Sequence, residues 1–487
     1  DLGSDAINMG ISTGLLGAAL VLAFMLAFYG RWGFIACAGL AVNMGLMFGV
    51  LSTLGATLTL PGIAGIILTL GMAVDANILI NERIREETRK GKSAWKALDA
   101  GFNRAYATIL DSNVTTLIAI GLLFMFGTGP IRGFAVTIAV GLLLSMFTAI
   151  AFTRVIMEWR VRKLGRAPLA IGGPRFIERL AGAKPLNLMR ARFVGLVMSA
   201  VLSIAALGLL AQPGLHYGID FSGGSLVEVN APVDIENLRS VFTDKGLTQV
   251  AIQEFGREGY YLVRLPDQGA EAVASGAPVQ AVKDAVLAIA PDAEFPRVEM
   301  VGPKVSGDFA DTSILAVLLA GTGMLLYLWV RFESHFASAI IATLALDLAK
   351  ILGCFALLSI EFNLTAIAAL LALIGYSVND KVVVFDRIRE HLKLTPDKPL
   401  KELLNESVTS TLTRTLFTSA TTFLAVLPMA LYGGNAVASF ALPMLLGIVV
   451  GTSSSIFIAA PIFLLLGERR EKKGLPQLRV IEVDDRP

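Results

Sequence analysis

Long apolar stretches separated by short polar and charged segments dominate the chain. A bilayer core of about 30 Å takes about 20 apolar residues in a helix. Eleven stretches come near that length, at 11–29, 33–52, 63–82, 108–127, 133–156, 193–212, 312–330, 335–358, 364–385, 410–431 and 438–466. One hydrophilic interval, 213–311, is far longer than the rest, and the period changes within it. A β-branched run at 225–230 precedes a helical pattern at 235–245, strand patterns follow at 250–254 and 260–265, then a helical pattern at 279–289 and a strand near 297–301. The order β-α-β-β-α-β predicts a split βαβ domain of the ferredoxin-like type. Roughly a hundred residues suffice for a small core of its own.

The chain repeats itself. Gly71 to Glu86 (GMAVDANILINERIRE) matches Gly375 to Glu390 (GYSVNDKVVVFDRIRE) without gaps at an offset of 304, and Thr115-Thr116-Leu117 matches Thr421-Thr422-Phe423 at an offset of 306. Five spans in each half share one orientation, which predicts a parallel repeat about an axis along the membrane normal. The expected organisation is a first transmembrane half at 1–158 and a basic linker at 159–192. The first span of the second half follows at 193–212, the external domain at 213–311, further spans at 312–466 and a tail at 467–487.

Composition agrees with a polytopic helical membrane protein. Of 487 residues, 55% are hydrophobic and 16% charged, with mean hydropathy +0.68, whereas soluble domains carry about 25% charged residues. Net charge is only +2, and no basic stripe suited to nucleic acid is visible. Cys37 and Cys354 lie inside apolar spans, away from any disulfide framework or zinc-type spacing. His216, His335 and His391 share no span with a catalytic partner, so conventional enzymology is not expected. The segments on one side hold 30 Lys and Arg, whereas the short loops opposite, leaving aside the long interval 213–311, hold only Arg132. Basic loops stay in the cytoplasm, which places Asp1 outside and the tail inside. With no signal-peptide pattern at residues 1–8, this orientation leads us to expect a missing upstream span.

Ionisable residues inside spans usually face a protein interior or a water path. Here they are Asp75, Asp111, Asp347, Lys350, Asp380, Lys381 and Arg414. Helical rise puts Asp75, Asp380 and Arg414 at similar depth, about 10, 9 and 6 Å from the cytoplasmic ends of their spans. Two carboxylates and one guanidinium leave a net negative charge in a poor ionic solvent, so one carboxyl is expected to take up a proton. Arg414 can pair with either acid but cannot release a proton, and a change of partner would make a proton relay. A static buried ion cluster is the alternative. It is disfavoured because Arg414 aligns with Thr108, and pure helix glue has less reason to differ between halves. Asp347 and Lys350, three apart, read as a local ion pair, and Asp347 aligns with Asn43. Lys381 projects away from Asp380, with a stem long enough to snorkel or to modulate that acid. Asp111 joins the path or caps a polar contact, while Glu82-Arg83 and Asp386-Arg387 are expected to pair in solvent. The Gly223-Gly224 pair reads as a turn or bulge.

The stretch GMAVDANILINERIREE resembles SecD, and GIDFSGGSLVEV, GYSVNDKVVVFDRIRE and TLTRTLFTSATT resemble SecF. The whole chain is thus similar to the SecD/SecF protein-export family of the resistance-nodulation-division superfamily. The resemblance implies two pseudo-symmetric transmembrane repeats and a small ferredoxin-like periplasmic domain, with a first span and a large periplasmic domain preceding Asp1. It implies use of the proton motive force to assist preprotein translocation in the bacterial inner membrane. The implied partners are the SecYEG channel, the SecA motor, a YajC-like accessory protein, the translocating preprotein and membrane lipid. No cofactor is implied; the coupling ion is H+, with Na+ as the alternative. The family's essential acids map onto Asp75 and Asp380 and its arginine onto Arg414, whereas Lys381 replaces the usual small polar residue. A small-molecule or lipid exporter of the superfamily and a non-transporting scaffold are the competing functions.

Overall fold

The computed structural model describes residues 2–56, 59–127, 129–164, 169, 171, 185–247, 250–254, 259–266 and 275–478. Most of the expected linker, 165–184 apart from Leu169 and Ile171, and the end of the tail, 479–487, lie outside the described residues.

The first half consists of α1 (Leu2–Thr53), α2 (Leu60–Arg89), α3 (Ala94–Phe126), α4 (Gly129–Phe147) and α5 (Thr153–Leu164), the last two joined by a π-helical turn at Thr148–Phe152. Helix α6 (Arg192–Ala211) opens the second half and leads to β1 (His216–Tyr217), α7 (Ile219–Ser222) and β2 (Gly224–Asn230). Then come α8 (Ile235–Asp244), β3 (Ala251–Glu254), β4 (Tyr260–Leu265), α9 (Ala277–Ile289) and β5 (Val298–Val301). The chain returns through α10 (Pro303–Arg331), α11 (Ser334–Leu357), β6 (Glu361–Phe362), α12 (Leu364–Leu394), α13 (Leu400–Tyr432) and α14 (Asn435–Ser454). A second π turn at Ser455–Ala459 connects α14 to α15 (Ala460–Lys472).

Ten helical segments among the described residues are long and apolar enough to cross a membrane. The first of them reverses at Gly30, whose backbone (φ 53°, ψ −124°) is not helical. The reversal brings Cys37 Sγ to 4.0 Å from Leu22 O, fifteen residues away in sequence. Counting the two arms of α1 separately gives eleven segments of that kind among the described residues, the number that the hydropathy pattern predicts. The helices outrun the predicted spans, however: α2 continues to Arg89, α12 to Leu394, and α13 begins at Leu400 rather than near 410. Apolar runs mark only the hydrocarbon, whereas Glu, Lys and Arg are good helix formers that carry the helix beyond it.

Helices α2 and α12 form the centre, with 94% and 89% of their most apolar windows buried. Small residues let the halves approach closely. A Cβ on Gly71 would lie 2.8 Å from Thr422 Cα, and one on the equivalent Gly375 would lie 3.1 Å from Thr116 Cγ2, itself the counterpart of Thr422. These reciprocal contacts mark the pseudo-two-fold axis. The π turns also correspond, each interrupting the last span of its half.

The extramembrane domain has a four-stranded sheet in the order β3-β4-β2-β5, with every neighbouring pair antiparallel. This is the ferredoxin-like arrangement predicted by the pattern. Helices α8 and α9 cover one face through Phe242, Val282 and Val286, packed on Val227, Val229 and Val263. The other face rests on Ile219 of α7 through Leu226 and Leu262, which explains why β2 is buried on both sides. Gly223 (φ 68°) and Gly224 (φ 107°) make the turn into β2, the role their sequence suggests, because positive φ is costly for residues with a Cβ.

Candidate functional site: an ion cluster between the repeats

Asp75 sits midway along α2, Asp380 on α12 and Arg414 on α13. The fold brings all three together, with only 8%, 3% and 4% of each residue exposed. Arg414 Nη2 donates to both oxygens of Asp75, at 2.8 and 3.0 Å. Asp75 also accepts from Thr418 Oγ1 at 2.7 Å and Asn379 Nδ2 at 2.9 Å. Asp380 is less well served. Its Oδ1 accepts from Thr415 Oγ1 at 2.9 Å and lies 3.7 Å from Arg414 Nη1, and its Oδ2 has no hydrogen-bond partner. Arg414 Nη1 and Nε likewise lack hydrogen-bond acceptors. The guanidinium therefore holds one acid firmly while its unused edge stands close to the other.

Repeat symmetry explains the location and its breaking explains the chemistry. Asn379 is the counterpart of Asp75, so their hydrogen bond joins equivalent positions across the axis. Asp380 replaces Ala76 and Arg414 replaces Thr108, which instead donates to Asp386 at 2.7 Å. Charge is thus concentrated on one side of an otherwise symmetric seam.

A second buried cluster adjoins it on α12. Lys381, fully buried, donates to Asp347 Oδ2 at 3.0 Å, Ser377 Oγ at 2.5 Å and Ser454 Oγ at 3.0 Å. This corrects the expectation that its stem snorkels: the ammonium points into the second half, where a carboxylate and two hydroxyls replace water. The expected local ion pair of Asp347 with Lys350 is present, but it is the longer of the two contacts that Asp347 makes with a cation. The pair's closest approach is 3.6 Å, and Lys350 Nζ makes no hydrogen bond, because Lys381 reaches Asp347 from a facing helix with better geometry. Together the two clusters hold three carboxylates and three cations, so the net negative charge expected around Asp75 and Asp380 is offset by a positive neighbour.

Asp111 lies apart from both clusters. It pairs with Arg331, through Nε at 3.0 Å and through Nη2, and lies 3.5 Å from Tyr327 Oη, which ties α3 to α10. At the basic end of α2 and α12 the expected solvated pairs are replaced by a reciprocal lattice. Arg83 bridges Glu86 and Glu390, each at 3.3 Å, and its counterpart Arg387 bridges the same two acids at 2.9 and 2.7 Å. Both arginine side chains are only 8% exposed, because the extended helices enclose the axis. Glu82 turns away to Arg85 at 2.7 Å and Tyr29 at 2.9 Å.

Sequence reasoning missed the hydroxyl and amide groups that complete these sites: Thr415, Thr418, Asn379, Ser377 and Ser454. A usable signal is the recurrence of Ser and Thr at helical spacing through 407–422 and the run Thr452 to Ser455, which leads into the π turn. Such turns recur at functional sites. Among the described residues no group of three or more His, Cys, Asp or Glu is arranged to hold a metal ion.

Comparison with known proteins agrees with the motifs. Residues 2–163 and 281–469 match the family "Protein export membrane protein SecD/SecF, C-terminal", and residues 208–231 match the "SecD/SecF GG Motif". The chain is 38% identical over 471 residues to protein translocase subunit SecDF of Brucella abortus, covering 96% of this chain and 61% of that protein. For SecDF of Thermus thermophilus the identity is 39% over 490 residues, covering 96% and 63%. The chain thus spans under two-thirds of these relatives. Against SecF of Helicobacter pylori it is 39% identical over 301 residues, covering 61% of this chain and 92% of that protein. The crystal structure of Thermus SecDF, described as a translocon-associated membrane protein, superposes with a TM-score of 0.86 at 36% identity, covering 96% of this chain and 63% of that one. A crystal structure of SecDF in a super-membrane-facing form gives 0.78 at 37% identity, covering 97% and 64%. With motifs, repeats and fold in agreement, the chain belongs to the SecD/SecF family of protein-export membrane proteins.

Proposed function

We propose that this chain is the membrane engine of a proton-driven auxiliary to the bacterial Sec translocase, assisting preprotein movement on the far side of the inner membrane. The observation that carries the reading is the placement of Arg414 between two acids of different halves, bonded to Asp75 and 3.7 Å from Asp380. Protonation of Asp75 removes the charge that holds Nη2, and the guanidinium then turns to the ionised Asp380. Loss of the proton reverses the exchange. Because Asp75 belongs to the first half and Asp380 to the second, the exchange trades a contact across the seam for one within a half, a differential interaction of the kind needed to shift a two-state equilibrium. Arg414 stays charged throughout.

A line of hydroxyls lies about one helical turn from the cluster, toward the extramembrane domain. Tyr376 donates to Ser419 at 2.9 Å, Ser419 meets Thr452 at 2.5 Å, and Thr452 donates to Ile448 O at 2.6 Å. The basic loops support an orientation with Asp1 periplasmic and the tail cytoplasmic. Similarity to SecDF structures, one of them in a super-membrane-facing form, supports more than one arrangement of the fold. The reading takes SecYEG, SecA, a YajC-like protein and the preprotein as partners, with H+ as coupling ion and Na+ as the alternative. An infrared pH titration in lipid tests it. A protonated-carboxyl stretch should titrate in the wild type, change in Asp75→Asn and Asp380→Asn, persist in Asp111→Asn and ignore added Na+. A band unaffected by either Asp75→Asn or Asp380→Asn would overturn the relay, and one displaced by Na+ would change the ion.

A further inference from the structure

The segment matching the GG motif does more than turn the chain into β2. It grips the start of α12, the helix that carries Asn379, Asp380 and Lys381. β1 runs parallel to β6, with His216 opposite Glu361 and Tyr217 opposite Phe362. The Gly218 N–H donates to Phe362 O at 2.8 Å. Asp220, in the single turn α7, accepts from the Leu364 backbone N–H at 2.9 Å through Oδ2. Leu364 is the first residue of α12, so this helix has two caps: its own Asn363, bonded to Ala366 N at 2.9 Å, and one lent by the extramembrane domain. The fit is close. A Cβ on Gly218 would lie 2.8 Å from Glu361 Oε1 and 2.9 Å from Asn363 Cβ. Tyr217 and Phe221 pack their rings around Phe362 at 6.1 and 6.0 Å, and Phe355 approaches it from α11 at 5.5 Å.

Both ends of this grip are rigid. Two residues after α7 the chain enters β2, the strand paired on both sides within the sheet. Beyond Leu364, α12 runs without a proline through Asp380, about 24 Å along its axis. We propose that the GG segment is the clasp by which the extramembrane domain holds α12, with the Asp220 carboxyl as its pin. No role for this segment follows from the ion cluster itself.

A proton dependence follows from the surroundings. Burial pushes the Asp220 carboxyl up to about 6, against the pull of the Leu364 amide. Glu299 on β5 and Glu361 on β6 add repulsion, and Arg297 opposes it. Arg264 on β4 lies 3.8 Å from Glu361, Glu299 is bonded to Arg297 at 2.7 Å, and Glu228 on β2 acts on Arg297 as well. α10, which packs against α7, carries Asp308 and Asp311. His216 lies on β1. A released, solvated Asp220 would titrate near 4, so the clasped state has the greater proton affinity. Acid on the domain's side of the membrane therefore closes the clasp. Raising the pH through about 6 opens it, and a carboxyl that titrates near 6 when held and near 4 when free lowers the closed-to-open ratio by up to roughly 100-fold.

Spin labels at Ser240→Cys on α8 and Tyr432→Cys at the end of α13, both exposed positions, would read the domain's position in the full chain in liposomes, with Cys37 and Cys354 replaced by Ser. The expected result is a distance distribution that narrows to one docked population as pH falls from 8 to 5. Asp220→Asn, which keeps the acceptor without the charge, should stay docked at both values, and Gly218→Ala should lower the docked fraction without abolishing the pH response. The proposal is overturned if Asp220→Asn titrates like the wild type, or if Gly218→Ala leaves the docked fraction unchanged. The readout is a distance rather than translocation, so failure of the clasp and failure of the relay remain distinguishable.

Discussion

Replacing Lys381 by Met keeps most of the side-chain volume and removes the cation that holds Asp347. In the native protein Lys381 Nζ is enclosed, with Asp347, Ser377 and Ser454 at 2.5–3.0 Å. Removing one member of a buried ion pair costs about 3–5 kcal/mol, because the other charge is left unpaired. Lys350 stays 3.6 Å from Asp347 and relieves part of that, so the lower end, about 3 kcal/mol, is expected. Asp347→Asn should cost a similar amount by stranding two ammonium groups. The double variant should cost well under the sum, because both charges of the pair are gone. The first half already shows such a solution, with Asn43, Leu46 and Asn77 at the positions of Asp347, Lys350 and Lys381. Reversible unfolding by SDS in mixed micelles, run as a double-mutant cycle, should give a coupling energy of about 2 kcal/mol or more. Additivity of the two single changes within about 0.5 kcal/mol would refute the assignment of Lys381 to Asp347.

Asp111→Asn loses an ion pair whose side chains are 17% and 33% exposed. It should cost about 1 kcal/mol in the same unfolding assay and leave gradient-dependent activity intact. Gly71→Ala forces a methyl against Thr422 backbone, whereas Gly375→Ala meets only a movable Thr116 methyl. The first should destabilise by about 1–3 kcal/mol and the second by clearly less in thermal unfolding, and equal effects would contradict the close approach at the axis. Because the Asp220 carboxyl is raised to about 6 when buried, the folded state binds its proton more tightly than the unfolded chain. Its contribution is fully present below about 4 and is lost as pH rises through about 6. Asp220→Asn should therefore gain stability over wild type at pH 8, by at most about 3 kcal/mol, and show no gain at pH 4; a gain independent of pH would rule out the carboxyl as the titrating group.

The hydropathy pattern carried the architecture because burial in lipid imposes long apolar runs that little else produces. The six elements of the extramembrane domain were legible for a similar reason, each being amphipathic with its own period. The repeat also made the meeting of Asp75, Asp380 and Arg414 readable, since equivalent helices must pack around one axis. Side-chain direction was not readable. Lys381 could have snorkelled along its own helix, and only the position of α11 and α14 shows that Asp347 and Ser454 stand where its ammonium ends. Nor do apolar runs reveal how far α2 and α12 extend past the hydrocarbon, so the burial of Arg83 and Arg387 among the acids of both halves went unseen. The Asp220 contact joins residues 144 positions apart across two separate polar segments, and no local pattern encodes it.

The most direct test of the relay is preprotein secretion in vesicles carrying the protein, measured with and without a proton gradient for wild type, Asp75→Asn and Asp380→Asn at equal membrane abundance. The account predicts that both variants lose the gradient-dependent component and keep the remainder; an undiminished response to the gradient in both would contradict it and leave the cluster as a tie between helices.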